Sequence, residues 1–362
     1  MNQGVKSWRA KQKLIWLCFA ALIASGLIGE TTSNAQRTRR IRAKRTVQLA
    51  QANEEDCNFI PTIRQMSPEE IKERGEKLAA AVQALEKNPK DAQANYQRGL
   101  AEGYEKTAMP FLTRAIELDP NLTDAYYRRG ELFFSNGEYD RAIEDFSRVI
   151  KFEPNNYEAY EQRGSGYLNK KQYDLAIAST TRAIEIEPQK PSLYQSRAFS
   201  YSAKGDHNRA IMDYTKIIKL CPNNAEAYGF RGDEYLESRN YDKAVTDLTR
   251  AIRIYSENPN TYVSRGRAYV GKKQFNLAIL DYTHALKLFP ESSETFNERG
   301  LAFKAIGRLE RAIADFTKAI ELDPGNPDSY KNRMMVYQVR GEAVKAKADQ
   351  KKYEELQVKP KS

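Results

Sequence analysis

Apolar residues recur at i, i+3 or i+4 and i+7 through paired stretches between about residue 92 and residue 357. That spacing is the stripe of an amphipathic helix, so the chain reads as a succession of helix pairs. Between the members of each pair lie NGEYD, KKQYD, KGDHN, SRNYD, KKQFN and IGRLE, which suit a tight helix–helix turn. Pairs end at Pro154, Pro188, Pro222, Pro290 and Pro324, with Ser256 the exception, and proline stops a helix. Pro191, Pro259 and Pro327 suit the first turn of the helix that follows. Upstream, SPEE at 67–70 is a capping box with proline at the first helical position, opening a helix that runs to about Lys87.

The pairs share one register. Gly99, Gly130, Gly164, Ala198, Gly232, Gly266, Gly300 and Met334 each follow an arginine, and after a first interval of 31 every interval is 34. Twelve residues after the small residue come Ala142, Ala176, Ala210, Ala244, Ala278 and Ala312; three after it come Phe133, Tyr167, Tyr201, Tyr235, Tyr269 and Phe303. Glycine in a helix interior costs about 1 kcal/mol against alanine, so its return needs a packing reason. Ala198 in the series indicates that small size is what the position requires.

The unit YEAYEQRGSGYLNKKQYDLAIASTTRAIEIEPQK (157–190), repeated in tandem, resembles the tetratricopeptide repeat (TPR) family over residues 92–357. The resemblance implies an all-α fold, an α-solenoid of tandem helix-turn-helix units forming a curved superhelix. Because no helix pair has a core of its own, neighbours must stack and the ends need caps. The expected organisation is a capping helix at 67–90, seven units over 91–324, a TPR-like unit with a capping helix at 325–357, and a tail at 358–362. The first unit is expected as a shortened helix pair, since Gly99 to Pro120 spans 21 residues where the others span 24, with Pro110 near the start of its second helix. The third departs at 179–181, where Ser-Thr-Thr replaces Asp followed by an aromatic residue or leucine.

Arg98, Arg129, Arg163, Arg197, Arg231, Arg265, Arg299 and Arg333 hold position seven of their units, and position 23 is acidic at Asp145, Asp213, Asp247, Asp281 and Asp315. The planar guanidinium fork suits a carboxylate, so a repeated Arg–Asp ladder is expected, within or between units. Ser179 leaves Arg163 without its within-unit acid. Gly130, Gly164, Gly232, Gly266, Gly300, Arg129 and Asp145 are therefore read as structural.

Charge changes the picture once it is divided. The net charge is +10, but residues 1–52 carry ten Lys/Arg against Glu30 alone, leaving 48 basic and 47 acidic groups in the rest. A balanced repeat region argues against nucleic acid as a partner. Lys6, Arg9, Lys11 and Lys13 precede the uncharged run LIWLCFAALIASGLIG (14–29), and SNA at 33–35 offers a small-residue cleavage site. Residues 1–35 thus read as a signal peptide cleaved near Ala35, with an exported, periplasmic or secreted product, or alternatively as a membrane anchor through 14–29. The basic run 37–45 resists translocation, which is the ground for keeping the anchor as the alternative. Residues 36–66 read as a basic flexible linker, with an anionic membrane or polymer as an optional contact of 37–45. Cys18, Cys57 and Cys221 do not form a zinc ribbon; a Cys57–Cys221 bridge and two free thiols both remain open.

No catalytic, metal or cofactor motif stands out. His207 and His284 are 77 residues apart, and no nucleophile elbow or phosphate-binding glycine loop appears. Asp124, Glu158, Glu226, Glu294 and Asp328 fall in first helical turns, where an acid complements the helix dipole. A non-enzymatic scaffold without cofactor is the reading that remains; the alternatives are a self-associating envelope protein or an accessory to a polymer-processing enzyme. The family resemblance places the binding groove on the first helices, at Tyr127, Phe134, Glu161, Leu168, Phe199, Asp233, Leu236, Val263, Arg267, Val270, Asn297 and Leu301. A protein or peptide partner is implied. The Lys and Asn of the family's chaperone-tail clamp are absent, the pairs reading Tyr127/Glu131, Glu161/Ser165, Gln195/Phe199 and Gly229/Asp233.

Overall fold

A computed structural model describes residues 67–102 and 105–358. The signal or anchor segment and the basic linker lie outside the described residues. Seventeen helices and no strand are present among the described residues. Of the described residues, those up to Glu291 belong to one compact unit and those from Ser292 to another; each is a set of tandem helix pairs in which sequence neighbours pack on one another.

The first unit opens with α1 (Pro68–Lys87). Its N-terminus is closed reciprocally: the Glu70 amide donates to Ser67 Oγ at 3.1 Å and the Ser67 amide to Glu70 Oε2 at 2.6 Å. Then come α2 (Ala92–Glu102) and α3 (Glu105–Leu118). α2 is described over 11 residues up to Glu102, while α3 keeps 14 residues and holds Pro110 inside it. Regular pairs follow: α4 (Thr123–Ser135) with α5 (Tyr139–Phe152), α6 (Tyr157–Asn169) with α7 (Tyr173–Ile186), α8 (Pro191–Lys204) with α9 (His207–Leu220), α10 (Ala225–Glu237) with α11 (Tyr241–Ile254), and α12 (Pro259–Gly271) with α13 (Phe275–Leu288). The second unit holds α14 (Ser293–Ala305) with α15 (Leu309–Leu322) and α16 (Pro327–Val339) with α17 (Ala343–Val358).

The recurring glycine is a contact. A Cβ at Gly130 would lie 2.9 Å from Phe146, at Gly232 2.7 Å from Leu248, at Gly266 2.6 Å from Tyr282, and at Gly300 2.6 Å from Phe316. Each partner sits sixteen residues on, in the second helix of its pair, and is essentially inaccessible. Small size at the glycine thus lets the aromatic or leucine lie flat against the first helix, which offsets the helical cost of glycine. In the 157–190 pair the partner is Thr180, whose Oγ1 would be 2.7 Å from a Cβ at Gly164.

Beside each glycine runs the ladder. Arg129 Nε and Nη2 donate to the two Asp145 oxygens at 2.8 and 2.9 Å. The same fork joins Arg197 to Asp213, Arg231 to Asp247, Arg265 to Asp281, Arg299 to Asp315 and Arg333 to Asp349. Nη1 reaches back to the preceding pair: Arg197 to Thr181, Arg231 to Thr215, Arg265 to Thr249 and Arg333 to Thr317. The carboxylate pairing is therefore within units and the hydroxyl contact between them. Burial pushes the Asp145 carboxyl above its ordinary range against the pull of Arg129, so such pairs fix register more than they add net stability. Arg98 departs: Phe111 lies under its guanidinium at 4.1 Å, and its ion pair is with Glu102.

Helix starts rely on a signal absent from the proline pattern. Asn156 and Asn224 accept hydrogen bonds at Oδ1 from the Ala159 and Ala227 amides, and Asn258 and Asn326 cap α12 and α16. The turns within pairs need a left-handed residue, Gly137 at φ 81° and Gly205 at φ 90°, yet Lys171, Arg239 and Lys273 take that role elsewhere.

Candidate interaction face

First helices lie beside first helices. In the first unit α4 touches α6, α6 touches α8, and α10 touches α12. Phe199 of α8 meets Phe230 of α10 edge-on at 5.1 Å, and Ser202 donates to Glu234 at 2.7 Å, closing the remaining gap. In the second unit α14 touches α16, with Asn332 donating to Asn297 at 3.0 Å.

The residues expected to line a groove divide into two sets. Glu161, Leu168 and Phe199 are buried, Phe199 between Tyr214 and Phe230 and Leu168 against Phe199 and Ala176. Their first task is contact between helices. Tyr127, Phe134, Asp233, Leu236, Val263, Arg267 and Asn297 are partly exposed, while Val270 and Leu301 are exposed by 37% and 41%. Even in this set some surface is spent internally: Tyr127 packs edge-on to Phe146 at 5.6 Å, and Phe134 to Tyr139 at 5.5 Å.

The electrostatics of the α4–α6–α8 stretch are acidic. Burial raises the pKa of the Glu161 carboxyl to about 7, while Ser196 Oγ, donating at 3.2 Å, and the charge of Lys190 oppose the rise. Tyr127 is also held above its ordinary value, by burial first and then by the charges of Glu131, Glu158 and Glu161. This stretch therefore sets partly exposed apolar side chains beside carboxylates.

A second polar cluster escaped the sequence reading. Glu234 is buried and accepts from Ser202 Oγ through one oxygen, while His207 Nδ1 lies 2.7 Å from the other. Residues of three helices meet there, at spacings of 32 and 27 that no 34-residue period discloses. The carboxylate stands between serine and histidine, so the imidazole is not placed to take the serine's proton, and the arrangement is not a nucleophile with its base. Among the described residues no group of His, Cys, Asp and Glu could hold a metal ion. Cys221 is buried at the C-cap of α9, and the pairing with Cys57 left open by the sequence involves a residue outside the described ones.

Known proteins place this architecture. Tetratricopeptide repeat profiles match residues 123–156 and 293–326, and a second profile of the same description matches 157–190, 191–224, 225–258 and 259–292. A DnaJ homolog subfamily C member 3 from Bos taurus is 38% identical over 87 residues, 20% of this chain and 17% of that protein. The match thus spans under a fifth of that relative. A solved tetratricopeptide repeat protein from Parabacteroides merdae is 19% identical, covering 65% of this chain and 93% of its own, with TM-score 0.54. The C-terminal part of a TPR repeat-containing protein from Cytophaga hutchinsonii is 22% identical, covering 65% and 96%, with TM-score 0.53. YrrB, described as a TPR protein with an unusual peptide-binding site, is 26% identical over 49% of this chain and 92% of its own, with TM-score 0.43. With six consecutive matched repeats across 123–326, the chain belongs to the tetratricopeptide repeat family.

Proposed function

We propose that this protein is a non-enzymatic scaffold that binds an extended peptide or a partner helix along its first-helix face. The observation that carries the reading is a surplus of surface within each unit: in the first Val270 is exposed and Leu236 and Val263 partly so, and in the second Leu301 is exposed, at positions the packing of helix on helix does not use up. The acids of the α4–α6–α8 stretch favour a partner with basic residues among its apolar ones. Location outside the cytosol, after cleavage near Ala35 or through an anchor at 14–29, is part of the proposal. Its support is the charged, apolar and small-residue order of residues 1–35. No described helix is long and apolar enough to cross a membrane.

Crosslinking in the native cell, with Val270→Asp and Leu301→Asp compared against Val344→Asp, tests the reading. Val344, 85% exposed, lies at the start of α17. Loss of a crosslinked partner in the first two variants alone, with unchanged thermal midpoints, supports the face. Loss in Val344→Asp alone moves the function to self-association or docking through the C-terminal pair.

A further inference from the structure

The ladder contains its own control experiment. At six positions the arginine fork is filled by an aspartate carboxylate from the same helix pair. At Arg163 the residue in that place is Ser179, which is buried. Nε donates to Ser179 Oγ at 3.0 Å and Nη1 to Ser147 Oγ at 3.4 Å. Among the described residues Arg163 has no ion pair, and Nη2 has no hydrogen-bond acceptor.

The two serines matter for their protons. Each hydroxyl accepts from the guanidinium and so keeps its own O–H to donate. Neither donates to another group among the described residues, whereas the adjacent Thr180 gives its proton to the Ala176 carbonyl at 2.8 Å. One positive charge, one free N–H edge and two hydroxyl donors therefore converge where six sister positions hold a carboxylate. A half-buried cation without a counter-ion is costly, and the planar fork is shaped for two oxygens.

We propose that Arg163, Ser179 and Ser147 form a binding site for a small monovalent anion, a carboxylate group of formate size or a chloride ion. The anion stands in for the missing aspartate and ties α6 to α7 and α5. The site is independent of the first-helix face and of any partner bound there.

The test is chemical complementation in the full chain. Thermal unfolding is followed against sodium formate at constant ionic strength for wild type, Ser179→Asp and Arg163→Gln. In wild type the midpoint rises saturably, and at formate ten times the dissociation constant the folded-to-unfolded ratio is about 11-fold higher. Chloride held at saturation suppresses the formate response if both use the site. Ser179→Asp, which supplies the carboxylate covalently, and Arg163→Gln, which removes the charge, show no saturable rise. Should Ser179→Asp fold poorly, Arg163→Gln carries the comparison. An equal response in all three proteins, or none in wild type, overturns the proposal.

Discussion

The helix pairs 123–156 and 157–190 are neighbours with the same plan, and three of the differences between them fall on their internal contacts and turn. Where the first has Asp145, Phe146 and Gly137, the second has Ser179, Thr180 and Lys171. In the first pair Phe146 fills the space against Gly130, Asp145 closes the arginine fork, and a glycine takes the left-handed turn. In the second a threonine faces the glycine, a hydroxyl stands in for the carboxylate, and a lysine holds φ 60°. Repeat architecture thus tolerates the loss of three stabilising devices in one pair, because the pairs on either side supply interfaces of their own.

The largest expected effect lies in the apolar contact. Phe146→Ala should cost about 3–5 kcal/mol, since a fully buried ring leaves a cavity against Gly130. Thr180→Ala should cost about 1 kcal/mol, because it removes little apolar volume and a hydroxyl bonded within its own helix. Denaturant midpoints for the two variants check the contrast.

Next comes position five of the same pairs, Tyr127 in one and Glu161 in the other. The folded Glu161 carboxyl titrates near 7, above its ordinary 4.5. A raised carboxyl contributes stability that is fully present below the ordinary value and lost as pH rises through the folded one. Between pH 4.5 and 8 wild-type stability should therefore fall relative to Glu161→Gln, and at pH 8 the variant should be more stable by about 3 kcal/mol. Urea titrations at both pH values measure it; parallel curves for the two proteins would remove Glu161 as the cause.

Asp145→Ser, which converts the first pair to the pattern of the second, should cost about 2 kcal/mol through the lost charge-assisted bonds to Arg129. The smallest effect belongs to the turn: Lys171→Gly should stabilise by about 0.5–1 kcal/mol by relieving a left-handed lysine, with its midpoint shift as the check.

How much was legible follows from what repeats. The 34-residue period carried the glycine contact and the arginine fork, since both join residues sixteen apart within every unit. Asp349 completes the fork of Arg333 from the same place in the last unit, where Met334 in place of the small residue breaks the pattern. The threonines that accept from Nη1 keep the period, sixteen residues before their arginines, but join neighbouring pairs, and the Glu234 cluster with Ser202 and His207 occurs once. The burial of Glu161, Leu168 and Phe199 was hidden for the same reason. Whether a first-helix position faces a partner or the next helix depends on how the pairs stack, which residue type alone does not disclose.

Native-state hydrogen exchange over α5 and α7 tests the central claim, that the pair 157–190 is the locally weak one, most directly. The amides around Ser179 and Thr180 should exchange through openings about 2 kcal/mol less costly than those around Asp145 and Phe146, and Ser179→Asp should narrow the gap. Equal protection in the two helices, unaltered by that substitution, would contradict the account.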